Sequence, residues 1–176
     1  MDTTLRDGEQ TSGVSFATQE KVSVVRLLLE ELHIDRVEVA SARVSEGEFK
    51  TVQKIAQWAQ ANGHLNQIEV LGFVDGTSSI EWITSAGCKV MNLLCKGSLK
   101  HCNKQLKKTP EEHFRDIKQV ISNARKVGVE VNVYLEDWSN GMKDSEAYVF
   151  QMVDELKNEP IKRFMLPDTL GVLNPD

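Results

Sequence analysis

The sequence predicts an α/β fold on a parallel sheet, the N-terminal portion of a TIM (β/α)8 barrel with about six strands and five helices. Three observations carry this. First, β-prone runs alternate with helical stretches at roughly thirty-residue spacing, the pattern of repeated βα units. Second, the opening run leads into Arg6-Asp7-Gly8-Glu9-Gln10, with a single glycine where a doubly wound sheet would usually carry a Gly-rich phosphate turn. Third, the residues suited to chemistry follow strand ends, as barrel sites require: Arg6 and Asp7, Ser41 and Arg43, Asp75, Lys96, Glu136 and Asp137, Asp168 and Thr169.

The elements follow in order. Asp2 to Leu5 is the first β-prone run. Thr18 to Leu32 carries apolar residues at Val22, Val25, Leu28, Leu29 and Leu32, a helical stripe with Thr18 as its N-cap. Arg36 to Ala40 is a short strand. Ser45 to Asn62 repeats the helical pattern through Phe49, Val52, Ile55, Ala56 and Ala59 and stops at Gly63. Ile68 to Phe73 is the third strand, Thr77 to Ala86 a helix closed by Gly87, and Lys89 to Leu94 the fourth strand. Thr109-Pro110 opens a helix that runs to Val127 and ends at Gly128. Val129 to Leu135 is the fifth strand, Ser145 to Lys157 a helix broken before Pro160, and Ile161 to Leu166 the sixth strand.

Composition sets bounds on function. With 176 residues, 40% hydrophobic and 27% charged, the chain can bury a core. A net charge of −5 leaves no basic stripe for nucleic acid, although Lys96 to Lys108 is a local basic cluster. No apolar run approaches membrane-spanning length and no signal-peptide pattern follows Met1, so a cytoplasmic protein is expected. Cys88, Cys95 and Cys102 are odd in number and match no zinc spacing, which makes them free thiols. His33, His64, His101 and His113 show no ligand spacing and are expected at the surface or at helix ends.

Strand parity selects the candidates further, because alternate residues of a barrel strand face the lumen and the surrounding helices. Val129, Val131, Val133 and Leu135 form one face of the fifth strand and should meet the helices. Asn132, Tyr134 and Glu136 then face the lumen, with Glu136 at the catalytic end. If polar residues mark the lumen face of the neighbouring strands, Leu71 and Leu94 point inward as well. At the end of the first strand Arg6 supplies a permanent cationic fork for a carboxylate or a developing oxyanion. Asp7 beside it is a hard oxygen donor for a divalent metal.

The run DTTLRDGEQ over residues 2–10 resembles the opening signature of the acyl-CoA-dependent 2-oxoacid condensing enzymes: the isopropylmalate, homocitrate and citramalate synthases, with hydroxymethylglutaryl-CoA lyase more distant. The resemblance continues through VEVASARVS at 37–45, LGFVDG at 71–76, NLLCKGS at 92–98, YLEDWSN at 134–140 and LPDTLG at 166–171. It implies a metal-dependent acyltransferase that joins acetyl-CoA to a short 2-oxo acid, with Arg6 polarising the 2-oxo oxygen and Asp7 binding the metal. It pairs Glu136 with Arg6 and places Leu71, Leu94 and Tyr134 around the methyl of pyruvate. Thr169 is given the 2-oxo acid carboxylate. Within the family the likeness is greatest to the branch that makes citramalate from pyruvate; condensation of 2-oxoisovalerate to 2-isopropylmalate is the alternative, and a noncatalytic fragment or interaction module a second one.

The family completes its metal site with a His-x-His pair on the seventh strand, which residues 1–176 do not supply. The chain is therefore expected to be a partial catalytic barrel domain, without strands seven and eight or any C-terminal domains, and inactive by itself. The metal, whether manganese, zinc, magnesium or cobalt, is not distinguished. The full-length enzyme of the family is expected to be a homodimer acting on small molecules only, with neither nucleic acid nor membrane as partner.

Overall fold

The computed structural model describes residues 1–174. Five strands, β1 (Val37–Ser41), β2 (Ile68–Phe73), β3 (Val90–Lys96), β4 (Glu130–Glu136) and β5 (Arg163–Met165), stand in the sheet in chain order. The helices are α1 (Thr18–Arg26), α2 (Glu46–Ala61), α3 (Ser78–Ser85), α4 (Leu99–His101), α5 (Pro110–Lys126) and α6 (Trp138–Leu156). A π turn over Leu27–Glu31 continues α1, and another over Cys102–Leu106 continues α4. The chain divides into two compact units, one of residues 1–72 and 78–91, the other of 73–77 and 92 onward.

In the first unit β1 and β2 run parallel, with Glu38 opposite Glu69 and Ser41 opposite Leu71, and a bulge between Glu38 and Ala40. Val37 and Val39 of β1, Ile68 and Val70 of β2, Val52, Ile55 and Ala59 of α2, and Val25 of α1 form its core. The helix ends follow from capping. Ser45 Oγ accepts the Glu48 N–H at 3.0 Å and starts α2. At α1 the structure moves the expected cap: Ala17 is the N-cap, its N–H held by Glu20 Oε2 at 2.6 Å, while the Thr18 hydroxyl pairs with that of Thr51 at 2.7 Å.

The expected strand at Asp2 to Leu5 is reduced to one bridge, Asp2 beside Val37. The cause is local. The Asp2 carboxylate accepts the Thr4 N–H at 3.0 Å and lies 3.1 Å from its hydroxyl, drawing the backbone into a turn. The Thr3 carbonyl then gathers the N–H groups of Arg6, Asp7 and Gly8, and a 3-10 turn follows over Gly8–Gln10.

In the second unit β4 and β5 run parallel with Asn132 opposite Arg163 and Tyr134 opposite Met165. Leu93 and Cys95 of β3, Val131, Val133 and Leu135 of β4, Phe114, Ile117 and Ile121 of α5, and Met152 and Leu156 of α6 are buried together within this unit. Thr109 and Glu112 form a reciprocal capping box at α5, with Pro110 in its first turn. The last helix begins at Trp138, seven residues before the expected Ser145. Asp137 adopts a left-handed conformation, φ 64° and ψ 28°, which turns the chain directly from β4 into α6. Ser145 is non-helical within α6, and its hydroxyl accepts the Leu99 N–H at 3.2 Å.

Candidate active site

Two groups of charged residues stand out, one in each unit: the first on the N-terminal turn beside β1, the second at the ends of β3 and β4. In the first, Arg6 is fixed by carboxylates on both sides: its Nε donates to Glu38 Oε2 at 2.5 Å and its NH1 to Asp7 Oδ1 at 2.6 Å. Glu38 is fully buried on β1, whereas the Asp7 side chain is 58% exposed. The turn that carries Arg6 is anchored by a buried lysine. Lys21 of α1 is 1% exposed and its Nζ lies 2.6 Å from both Glu9 and Glu48, and 3.4 Å from the Leu5 carbonyl. Burial opposes ionisation of Glu9, but the Lys21 hydrogen bond and the Phe16 N–H hold its carboxyl below the ordinary value. A cavity of about 150 Å³ beside this group is lined in part by Arg6, Glu9, Gln10, Ser41 and Glu48.

In the second unit the polar faces of β3 and β4 meet. Asn132 Nδ2 donates to Asn92 Oδ1 at 2.8 Å, and Arg163 of β5 reaches Asn132 Oδ1 at 3.2 Å. Two and four residues further on, the same face carries Leu94 and Lys96 on β3 and Tyr134 and Glu136 on β4. Lys96 Nζ forms an ion pair with Glu136 Oε2. Leu94 and Tyr134 are half-buried, and Leu71 in the first unit is 5% exposed.

Behind this pair lies a buried polar knot on Asp137. Its carboxylate accepts from Ser98 Oγ at 2.7 Å and from Asn140 Nδ2 at 2.8 Å, with His101 Nε2 at 3.5 Å. Burial works against its charge, yet the hydrogen bonds from Ser98 and Asn140 and the nearby His101 keep the carboxyl below its usual range. The Asp137 N–H donates to Thr169 Oγ1 at 2.9 Å, and Ser139 Oγ donates to Asp168 at 2.6 Å, so the strand-end loops after β4 and β5 are tied together. With its oxygen accepting a main-chain N–H, the Thr169 hydroxyl keeps its own proton for an acceptor.

Sequence patterning did not single out Glu38 as the partner of Arg6, or Lys96 as that of Glu136; these contacts span 32 and 40 residues. His113, expected at the surface or at a helix end, lies in the first turn of α5 and is 1% exposed. Burial, followed by the Lys108 charge, pushes its imidazole down to about 4. The three cysteines are free and buried, and burial raises the Cys88 thiol to about 12. A roomier groove of about 540 Å³ between α5 and α6 is lined by Phe114 and exposed polar residues, and none of the strand-end residues borders it.

The profile of the HMGL-like family matches residues 1–176. The chain belongs to the HMGL-like family. Among its HMGL-like relatives, a protein named as an (R)-citramalate synthase in Methanopyrus kandleri is 30% identical over 99% of this chain and 33% of its own length. A 2-isopropylmalate synthase of Polynucleobacter asymbioticus is also 30% identical, over 99% of this chain and 33% of its own length. The chain thus spans about a third of the length of these relatives. The solved hydroxymethylglutaryl-CoA lyase of Pseudomonas aeruginosa superposes with a TM-score of 0.77 at 18% identity, over 99% of this chain and 58% of the lyase. That likeness shows the fold, the N-terminal portion of a (β/α)8 barrel. Among the described residues no helix is long and apolar enough to cross a membrane.

The resemblance implies a divalent metal, with Asp7 as a ligand. Asp7 suits the part of one hard-oxygen donor: it is exposed, and the Arg6 contact uses Oδ1. Such ions take four or more ligands. Among the described residues no three His, Cys, Asp or Glu side chains are gathered to hold one. The described residues do not by themselves form a metal site.

Proposed function

We propose that these residues are the N-terminal part of the catalytic barrel of an enzyme that condenses acetyl-CoA with a short 2-oxo acid, pyruvate giving citramalate. The observation that carries this is the DTTLRDGEQ run, in a chain matched throughout by the HMGL-like family, with Arg6 held in place by Glu38 and Asp7. Arg6 binds and polarises the 2-oxo oxygen. Its two carboxylate partners fix the guanidinium plane before substrate arrives, so little reorganisation is needed as charge grows on that oxygen. Thr169 donates a hydroxyl hydrogen bond to the substrate carboxylate.

Glu136 takes a proton from the acetyl methyl group. The resulting enolate carbon adds to C2 of the 2-oxo acid as the C2=O π pair moves to oxygen, which takes up that proton to become a hydroxyl, and water then hydrolyses the thioester to release CoA. Leu71, Leu94 and Tyr134 form the apolar wall for the substrate side chain. None carries a charge for a second carboxylate, so 2-oxoglutarate would bury an unpaired anion. Asp7 would contribute one oxygen ligand to a divalent ion, which would supply Lewis-acid polarisation of the 2-oxo acid. The whole enzyme acts in the cytoplasm as a homodimer.

The test is CoA release by the full-length protein with acetyl-CoA and pyruvate, 2-oxobutyrate or 2-oxoisovalerate, compared as kcat/KM. Pyruvate should lead. Preference for 2-oxoisovalerate would move the assignment to 2-isopropylmalate synthesis, the reading that the Polynucleobacter relative's name favours. Absence of CoA release with every 2-oxo acid would leave the noncatalytic alternative.

A further inference from the structure

Lys96 ends β3 with both polar atoms of its peptide held by buried side chains. Its N–H donates to His113 Nε2 at 3.1 Å, and its carbonyl accepts from the Tyr148 hydroxyl at 2.8 Å. The next N–H, that of Gly97, donates to the Glu136 carbonyl at 2.7 Å. His113 and Tyr148 are 1% and 4% exposed. Because Nε2 accepts, the neutral His113 ring carries its proton on Nδ1, and that atom is buried with no partner among the described residues. A buried donor is left unsatisfied in the arrangement that fixes one main-chain N–H, a cost that ordinary strand ends do not bear.

The side chain that this clamp positions is an ammonium with 17% exposure. Its partner among the described residues is Glu136 Oε2, which accounts for one of three N–H donors. Two donors remain on a largely buried cation, at the carboxylate assigned as base.

We propose that Lys96 is a catalytic residue, donating an N–H to the thioester oxygen of acetyl-CoA while Glu136 removes the methyl proton. This rests on the condensing function proposed above. As the C–H bond breaks, the proton goes to Glu136, the C–H electron pair becomes the enolate C=C bond, and the carbonyl π pair moves to the thioester oxygen. Glu136 thereby loses its charge as the oxygen gains one. A cation bonded to Glu136 with donors to spare serves the charge at both ends of that transfer, and a flexible ammonium can hold both oxygens where a planar guanidinium would be less free to turn. The enolate carbon then forms its bond to C2 of the 2-oxo acid, the C2=O π pair moves to the 2-oxo oxygen, which becomes the product hydroxyl by taking up the proton that Glu136 removed, and the thioester carbonyl is restored.

The test uses the full-length protein with Lys96→Met and Lys96→Arg, measuring kcat, both KM values and the thermal midpoint. Lys96→Met should lose about 100-fold in kcat, the scale for removing one oxyanion donor, with KM for pyruvate within about two-fold. Lys96→Arg should recover at least about ten-fold of that loss, since a cationic donor returns. A Met variant within about three-fold of wild-type kcat, or a loss confined to KM for pyruvate, overturns the proposal while leaving the condensing function standing. If Lys96→Met does not fold, the Arg variant decides: kcat within about ten-fold of wild type supports the role and a deeper loss overturns it. A wild-type protein that releases no CoA removes the condensing function and this role together.

Discussion

Arg6 sits between a buried carboxylate and an exposed one, and the asymmetry sets what each can do. Glu38, fully buried, orients the guanidinium; Asp7, largely exposed, can also face a ligand. Arg6→Lys in the full-length protein should therefore reduce kcat by about 100-fold or more, because an ammonium cannot hold Glu38 and Asp7 and present a planar fork. Glu136→Gln should reduce kcat with the thermal midpoint preserved. Near-normal kcat in both variants would remove the assigned roles. His113 yields a different prediction, about stability. Its folded-state value of about 4 lies below the ordinary 6.5, so the unfolded chain binds the proton more readily between these values. Stability is full above about pH 6.5 and is lost as pH falls toward 4, by about 3 kcal/mol for this group alone. Denaturant unfolding of wild type and His113→Gln from pH 7 to 4 should show the two curves converging as pH falls; parallel curves would show that the ring does not titrate as described.

At the scale of elements, α6 meets the strand ends through two glycines. A Cβ on Gly141 would lie 2.0 Å from the Gly97 carbonyl oxygen, and one on Gly97 would lie 2.8 Å from the carbonyl oxygens of Leu135 and Glu136. Gly141→Ala must displace backbone beside Lys96 and should destabilise the protein by about 1–3 kcal/mol, read as a lowered unfolding midpoint; an unchanged midpoint would mean that this approach is not close. The same contact explains why the start of α6 escaped sequence patterning. Residues 138–144 are helical because Asp137 turns left-handed and Gly141 fits under Gly97, and neither feature leaves a periodic signal. Where caps are local the sequence sufficed: Ser45, Thr109-Pro110 and the apolar stripes fix α2 and α5 to within a residue or two, and β2 coincides with its expected range. Asp2 to Leu5 failed as a strand because a side chain competed with the ladder. At the candidate site Arg6, Asp7, Lys96 and Glu136 were legible as charges following strand-like runs. Their pairing, Arg6 with Glu38 and Lys96 with Glu136, was not, nor was the burial of His113, since these partners come from distant parts of the chain and only folding brings them together.

At the scale of the whole molecule, the apolar side chains left in water bear on how the 176 residues behave alone. Leu166, Leu170, Val172 and Leu173 are 50%, 68%, 47% and 56% exposed within one short stretch after β5. Four exposed aliphatic side chains so close in sequence offer apolar surface of the kind that drives association. The isolated chain should therefore sediment as species heavier than the monomer, with the heavier fraction growing with concentration. Replacing two of the four, Leu170→Asp with Leu173→Asp, should return it toward the monomer with its helical circular dichroism intact, since neither side chain belongs to the buried core. The isolated chain should also release no CoA from acetyl-CoA and pyruvate, because Asp7 is one donor where a divalent ion needs several. A monodisperse monomer with clear turnover would contradict both expectations and show that these residues suffice for catalysis, whereas association unchanged by the double substitution would place the sticky surface elsewhere.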